Sequence, residues 1–241
     1  MPVRLVQKAE GVAPNTTSIV LAFAGPVVVG NVLTIEASRY TATVTDPFVV
    51  GDLAQTAGTA TLGTLVLDVS TVQDVDDITD ITNSGIWHVP VTGSGSLTFT
   101  LTGNAANFFW MNLSEWNGLD NVCLTRASAI GTGTAADSGS ITVWQPSLML
   151  ALVSPNATVS VTLTADAAFT LLNEEENGAA NTTAGNNQFV SEVLIPATAV
   201  TALATAVTTE YFFPLPTSLM LPPNYRLYVG ATVAAGGTNA A

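Results

Sequence analysis

Hydrophobic and polar residues alternate with a period of two along much of this chain. In SLTFTLTG (96–103), Leu97, Phe99 and Leu101 share one side, and Thr98, Thr100 and Thr102 the other. TVSVTLT (158–164) sets Val159, Val161 and Leu163 against Ser160, Thr162 and Thr164. RYTATVT (39–45) groups Tyr40, Ala42 and Val44, and TLVLDVS (64–70) groups Leu65, Leu67 and Val69. Successive side chains of an extended backbone point to opposite faces, so this alternation predicts half-buried strands. Turn signals punctuate them at short intervals: Gly25-Pro26, Gly93-Ser94-Gly95, Gly103-Asn104, Asn117-Gly118, Pro155-Asn156 and Pro222-Pro223-Asn224. Many short strands so divided predict an all-β chain, an antiparallel β-sandwich of jelly-roll or immunoglobulin-like type with almost no helix. ATAVTALATAV (197–207) is the one helical candidate, and its Thr and Val suit a strand equally.

Two polar stretches suggest how the 241 residues divide. ASAIGTGTAADSGS (127–140) reads as a linker or crossing loop, and NEEENGAANTTAGNN (173–187) as an exposed loop. The expected organisation is an N-terminal extended arm (1–18), a first β unit (19–126), the linker (127–140) and a second β unit with the C-terminal strands (141–241). The arm holds Arg4 and Lys8, two of only five basic residues, which makes them candidates for contact with a neighbouring subunit. A plain first strand is the alternative for the same residues.

Aromatic residues concentrate in FFWMNLSEWNGLD (108–120). Alternation places Phe109, Met111 and Leu113 on one face, and Phe108, Trp110, Asn112, Ser114 and Trp116 on the other. The first set reads as a core stripe. The second starts aromatic and ends polar, like a strand emerging from beneath a neighbouring layer. Trp110 and Trp116 are candidate partner contacts, and a sugar-binding platform is the competing reading of the cluster. Glu115 falls on the core parity, but close enough to the Asn117-Gly118 turn to be expected in contact with water.

Charge narrows the range of partners. Charged residues make up 10% of the chain, against about 25% in an ordinary soluble domain. The 18 acidic and 5 basic residues give a net charge of −13. Nucleic-acid binding relies on Lys and Arg displacing counterions from phosphates, so DNA and RNA are excluded as main partners. Anionic membrane surfaces are disfavoured for the same reason. IVLAFAGPVVVG (19–30) is too short and too interrupted to span a bilayer, and MPVRLVQKAEG does not read as a signal peptide. Cys123 is the only cysteine, which favours folding in a reducing cytoplasm over a disulfide framework.

Motifs for chemistry are sparse. His88, the only histidine, is opposite in parity to Trp87, Val89 and Val91 and is expected at solvent or a subunit boundary. One His and one Cys cannot build the common zinc sites. No nucleophile elbow, phosphate loop or dinucleotide fingerprint occurs, so no enzyme activity and no cofactor are expected. DVDDITD (74–80) gathers Asp74, Asp76, Asp77 and Asp80, oxygen ligands of the type that hold calcium. Without the glycine and glutamate of a helix–loop–helix calcium loop, the stretch reads first as a solvated acidic loop.

VVVGNVLTIEAS (27–38), GIWHVPVTGSGSLTFTLTG (85–103) and MNLSEWNGL (111–119) resemble a β-sandwich module of tailed-bacteriophage virion proteins. FVSEVLIPATAV (189–200) and LPTSLMLPPNYRLYVGATVAAG (215–236) are similar to the closing strands of phage capsid-decoration and tail proteins. The module often carries an Asp-Ser-x-Gly-Asn turn where this chain has TDPFVVGD (45–52). The resemblance implies a non-enzymatic structural protein, made in the host cytoplasm and placed on the outer capsid surface of the virion. It further implies a decoration or cement role, the major capsid protein as partner, and homotrimers. A tail or fibre module that binds host-surface glycan through Trp110, Trp116 or Trp144 is the alternative.

Overall fold

In the computed structural model the described residues are 3–41, 46–74, 81–132, 141–142, 147–154, 170–176, 187–195, 202–203 and 225–235. They are almost entirely β. The first seven strands are β1 (Arg4–Ala22), β2 (Val32–Thr41), β3 (Leu53–Gly58), β4 (Thr61–Leu62), β5 (Val66–Asp74), β6 (Ile81–Gly93) and β7 (Leu97–Asn117). They form one curled antiparallel sheet in the order β1-β7-β2-β6-β4, with β3 also on β7 and β5 also on β6. The remaining strands are β8 (Leu119–Thr132), β9 (Ile141–Thr142), β10 (Ser147–Val153), β11 (Thr170–Glu176), β12 (Asn187–Ile195), β13 (Ala202–Leu203) and β14 (Tyr225–Ala235). Five of these make a second sheet in the order β11-β12-β10-β14-β8, and β9 pairs with β13. Against the antiparallel expectation, β14 runs parallel to both β8 and β10.

Strand β7 organises the first sheet. It is 21 residues long and pairs with β1 along nearly its whole length. Its other edge takes β3 at Leu97–Leu101 and β2 at Phe108–Trp116. Residues 4–18, expected as a separate arm, therefore belong to a 19-residue strand of the sheet itself. The chain leaves the first sheet at Gly118, whose φ of +87° glycine adopts without strain. Strand β8 follows at once and spans residues 126–127, where the first unit was expected to end.

Both faces of the central strands are buried. On one face, Leu33, Ile35 and Ala37 of β2 meet Trp87, Val89 and Val91 of β6. Leu97, Phe99, Leu101, Phe109, Met111 and Leu113 of β7 complete that layer, with Phe23, Val27, Phe48 and Leu53 curling over it. Each such side chain contributes about 1.5–3 kcal/mol by leaving water. The other face sets Val32, Tyr40, Ile86, Phe108, Trp110 and Trp116 against Leu148, Leu150 and Leu152 of β10. Every residue of β2 is consequently buried.

The parity read for TLVLDVS fails at one point. A bulge between Leu67 and Val69 inserts Asp68 into β5, so Leu65 and Leu67 pack on the first face and Val69 on the second. The stretch 158–164 lies outside the described residues, and of 197–207 only Ala202–Leu203 is described, as strand.

Candidate functional site

Among the described residues, buried polar side chains gather most clearly in three places, and each has a different character. The first is a polar layer on the β10-facing side of the first sheet, between its aromatic rows. The pairing of β7, β2 and β6 sets Ser114, Thr34 and His88 in one row across the sheet and Asn112, Glu36 and Ile86 in the next. All of these residues are buried. Asn112 donates its Nδ2 to Glu36 Oε2 at 2.5 Å and to Ser114 Oγ at 3.2 Å. Glu36 Oε1 finds no hydrogen-bond partner. Burial pushes the Glu36 carboxyl up to about 7, against hydrogen bonds from Asn112 and Thr34 that favour the charged form. Trp116 donates Nε1 to Thr34 Oγ1 at 3.1 Å, which ties the aromatic row to the polar one.

His88 stands at the β5 end of this layer. The Asp68 bulge brings Asp68 Oδ2 within 2.5 Å of His88 Nδ1, both side chains being almost without solvent exposure. His88 was expected at solvent or a subunit boundary. Its parity is as read, but the face it occupies is buried. An imidazole oriented by a carboxylate is the arrangement of a base in nucleophilic catalysis. Among the described residues no hydrogen bond connects His88 to a hydroxyl.

The second place is Glu115. It too is fully buried, correcting the expectation that it meets water. Its carboxylate accepts from Gln7 Nε2 at 2.6 Å, from the Val28 backbone N–H at 2.7 Å and from Asn31 Nδ2 at 2.6 Å. Asn117 Nδ2 donates to Asn31 Oδ1 at 2.8 Å, and the Gly25 N–H donates to Gln7 Oε1 at 3.2 Å. One carboxylate thus fastens β1, the 25–31 turn and the end of β7 together. The aromatics beside it are equally committed, since Trp110 and Trp116 are buried beneath the second sheet rather than presented to a partner.

The third is a cleft of about 520 Å³ whose lining includes Arg39, Asp46, Asp52, Thr102 and Gly103. The Arg39 guanidinium lies 4.8 Å from the centre of the Phe48 ring and donates Nη2 to the Asp46 carbonyl at 2.6 Å. Burial holds its pKa below the ordinary value, against the raising effect of the Asp52 and Asp46 charges. Phe48 in turn meets the Trp87 ring edge-on at 5.4 Å. A side chain at position 103 would collide with Nη1, so Gly103 makes room for the guanidinium. With two aspartates at its rim the cleft is no simple anion site.

Among the described residues no group of three or more His, Cys, Asp or Glu could hold a metal ion. Asp76, Asp77 and Asp80 lie outside the described residues, and Asp74 closes β5. Arg4 and Lys8 are exposed on β1. Sequence reasoning missed Glu36, Asp68 and Asn112. Glu36 and Asn112 share their parity with Thr and Ser, a pattern that resembles a wet face, and only the second sheet makes it a dry one. Comparison of the chain with protein-family models, curated proteins and solved structures finds no match.

Proposed function

We propose that this chain is a non-enzymatic structural protein of a phage virion, a decoration or cement protein that binds the major capsid protein and stabilises the shell from outside. The observation that carries this reading is the division between inside and surface. The polar groups of the interior are engaged with one another or closed off between layers. The exposed large apolar side chains of the described residues are all valines: Val6, Val12, Val20, Val28, Val29, Val49 and Val50. Two adjacent pairs, Val28–Val29 and Val49–Val50, stand on loops of a weakly charged chain. Such positions favour adhesion, because apolar area buried against a neighbour contributes about 25 cal/mol per Å² with little charge to desolvate.

The virion context itself rests on the sequence resemblance, and the net charge of −13 favours a place away from packaged DNA. The glycan-binding alternative gains nothing from Trp110 and Trp116, which are buried, and its third candidate, Trp144, lies outside the described residues. The test is co-sedimentation of the purified protein with undecorated shells of its own phage. Saturation at a copy number set by the icosahedral lattice supports the cement role, and absence of binding moves the protein to the tail. In the same assay the double substitution Val28→Asp and Val29→Asp is expected to weaken shell binding about tenfold, the effect of losing most of one apolar contact pair.

A further inference from the structure

We infer that β1 pairs with β1 of a second copy of this chain, antiparallel, about a two-fold axis normal to the sheet and midway between the two copies of Ala9. The inference does not depend on where the protein acts. Strand β1 is the edge of its sheet, and among the described residues no strand pairs with its outer side. An edge of this length carries a row of backbone donors and acceptors ready for another strand. Its regular part is 7–13, bounded on one side by the irregularity between Leu5 and Gln7 and on the other by Pro14, by Asn15 at a φ of +49° and by the irregularity between Thr16 and Ser18.

Within 7–13, unlike charges oppose each other in only one register. Centred on Ala9, an antiparallel copy places Lys8 opposite Glu10 and Glu10 opposite Lys8. It also places Gln7 opposite Gly11. Lys8 and Glu10 are both exposed, so the opposed pair matches in accessibility as well as being unlike in charge. Centring on Lys8 would set lysine against lysine, and centring on Glu10 would set glutamate against glutamate. Directly opposed unlike charges stabilise a strand pair and like charges destabilise it. Because the pairing register is even, each sheet continues into the other with the same face forward, as an isologous interface requires. The result is a two-fold contact, unlike the trimer implied by the resemblance.

Sedimentation velocity of the full chain over a range of concentrations tests this. The unsubstituted protein is expected to dimerise. Lys8→Glu alone, or Glu10→Lys alone, is expected to weaken dimerisation about tenfold or more, since each creates like-charge pairs on both sides of the axis. The double substitution Lys8→Glu with Glu10→Lys is expected to restore it, because the opposition is then reversed but intact. Both positions are exposed, and an unchanged far-ultraviolet spectrum verifies that each variant is folded. A monomer at every concentration, a trimer, or a dimer indifferent to the single substitutions overturns the inference. So does failure of the double substitution to restore association.

Discussion

Glu36 is the residue whose surroundings matter most for stability against pH. Its folded-state value of about 7 lies above the ordinary 4.5. The folded chain therefore keeps this proton to higher pH than the unfolded chain does. Stability from this group is fully present below pH 4.5 and is lost as pH rises towards 7, a loss on the order of 3 kcal/mol. Glu36→Gln removes the titration while leaving an acceptor for Asn112 Nδ2. Urea unfolding should show the variant more stable than the parent at pH 8, with the difference nearly gone at pH 4.5. Glu115 behaves oppositely on substitution. Glu115→Ala strands the Val28 N–H and Asn31 Nδ2 of the 25–31 turn, leaves Gln7 Nε2 only its longer bonds to the Gly25 and Pro26 carbonyls, and should cost about 3 kcal/mol or more. Faster hydrogen exchange at the Val28 amide would locate the damage, and an unchanged exchange rate there would refute the fastening role.

At the scale of the element, two glycines with positive φ separate backbone strain from collision. Gly30 has a φ of +87° and open space where a Cβ would go, whereas Gly58 has a φ of +110° and the Ser96 carbonyl in the way. Gly30→Ala should cost about 1 kcal/mol and Gly58→Ala several, read as shifts in denaturation midpoint. The strands themselves were largely legible in the sequence. Alternation assigned Leu97, Phe99 and Leu101 and both parities of 108–116 to the faces they occupy. It failed where alternation is blind. The Asp68 bulge shifts β5 by one residue without any change of composition to announce it. His88 and Asn112 were placed on the correct side of their strands, yet whether that side is wet depends on a second sheet more than thirty residues further along the chain. The Glu115 contacts join residues 7, 28, 31 and 115, a convergence that no local pattern encodes.

For the whole molecule, three of the four tryptophans report on two separate layers. Trp87 sits in the curled core of the first sheet, and Trp110 and Trp116 sit between that sheet and β10. Leu150→Ala removes packing from the second layer only and should destabilise the chain by about 2–5 kcal/mol. If the layers unfold as one unit, fluorescence of a Trp87→Phe variant and of a Trp110→Phe, Trp116→Phe variant, each also carrying Trp144→Phe, should show a single transition that Leu150→Ala moves by the same free energy. The pairing of β1 with β7 also has a consequence for synthesis. Arg4 cannot meet Asn117 until roughly 110 further residues have been made, about 6–20 s at roughly 5–20 residues per second. For that interval the first strand leaves the ribosome without its mate, and Lys8, Glu10 and Pro14 interrupt its apolar character while it waits.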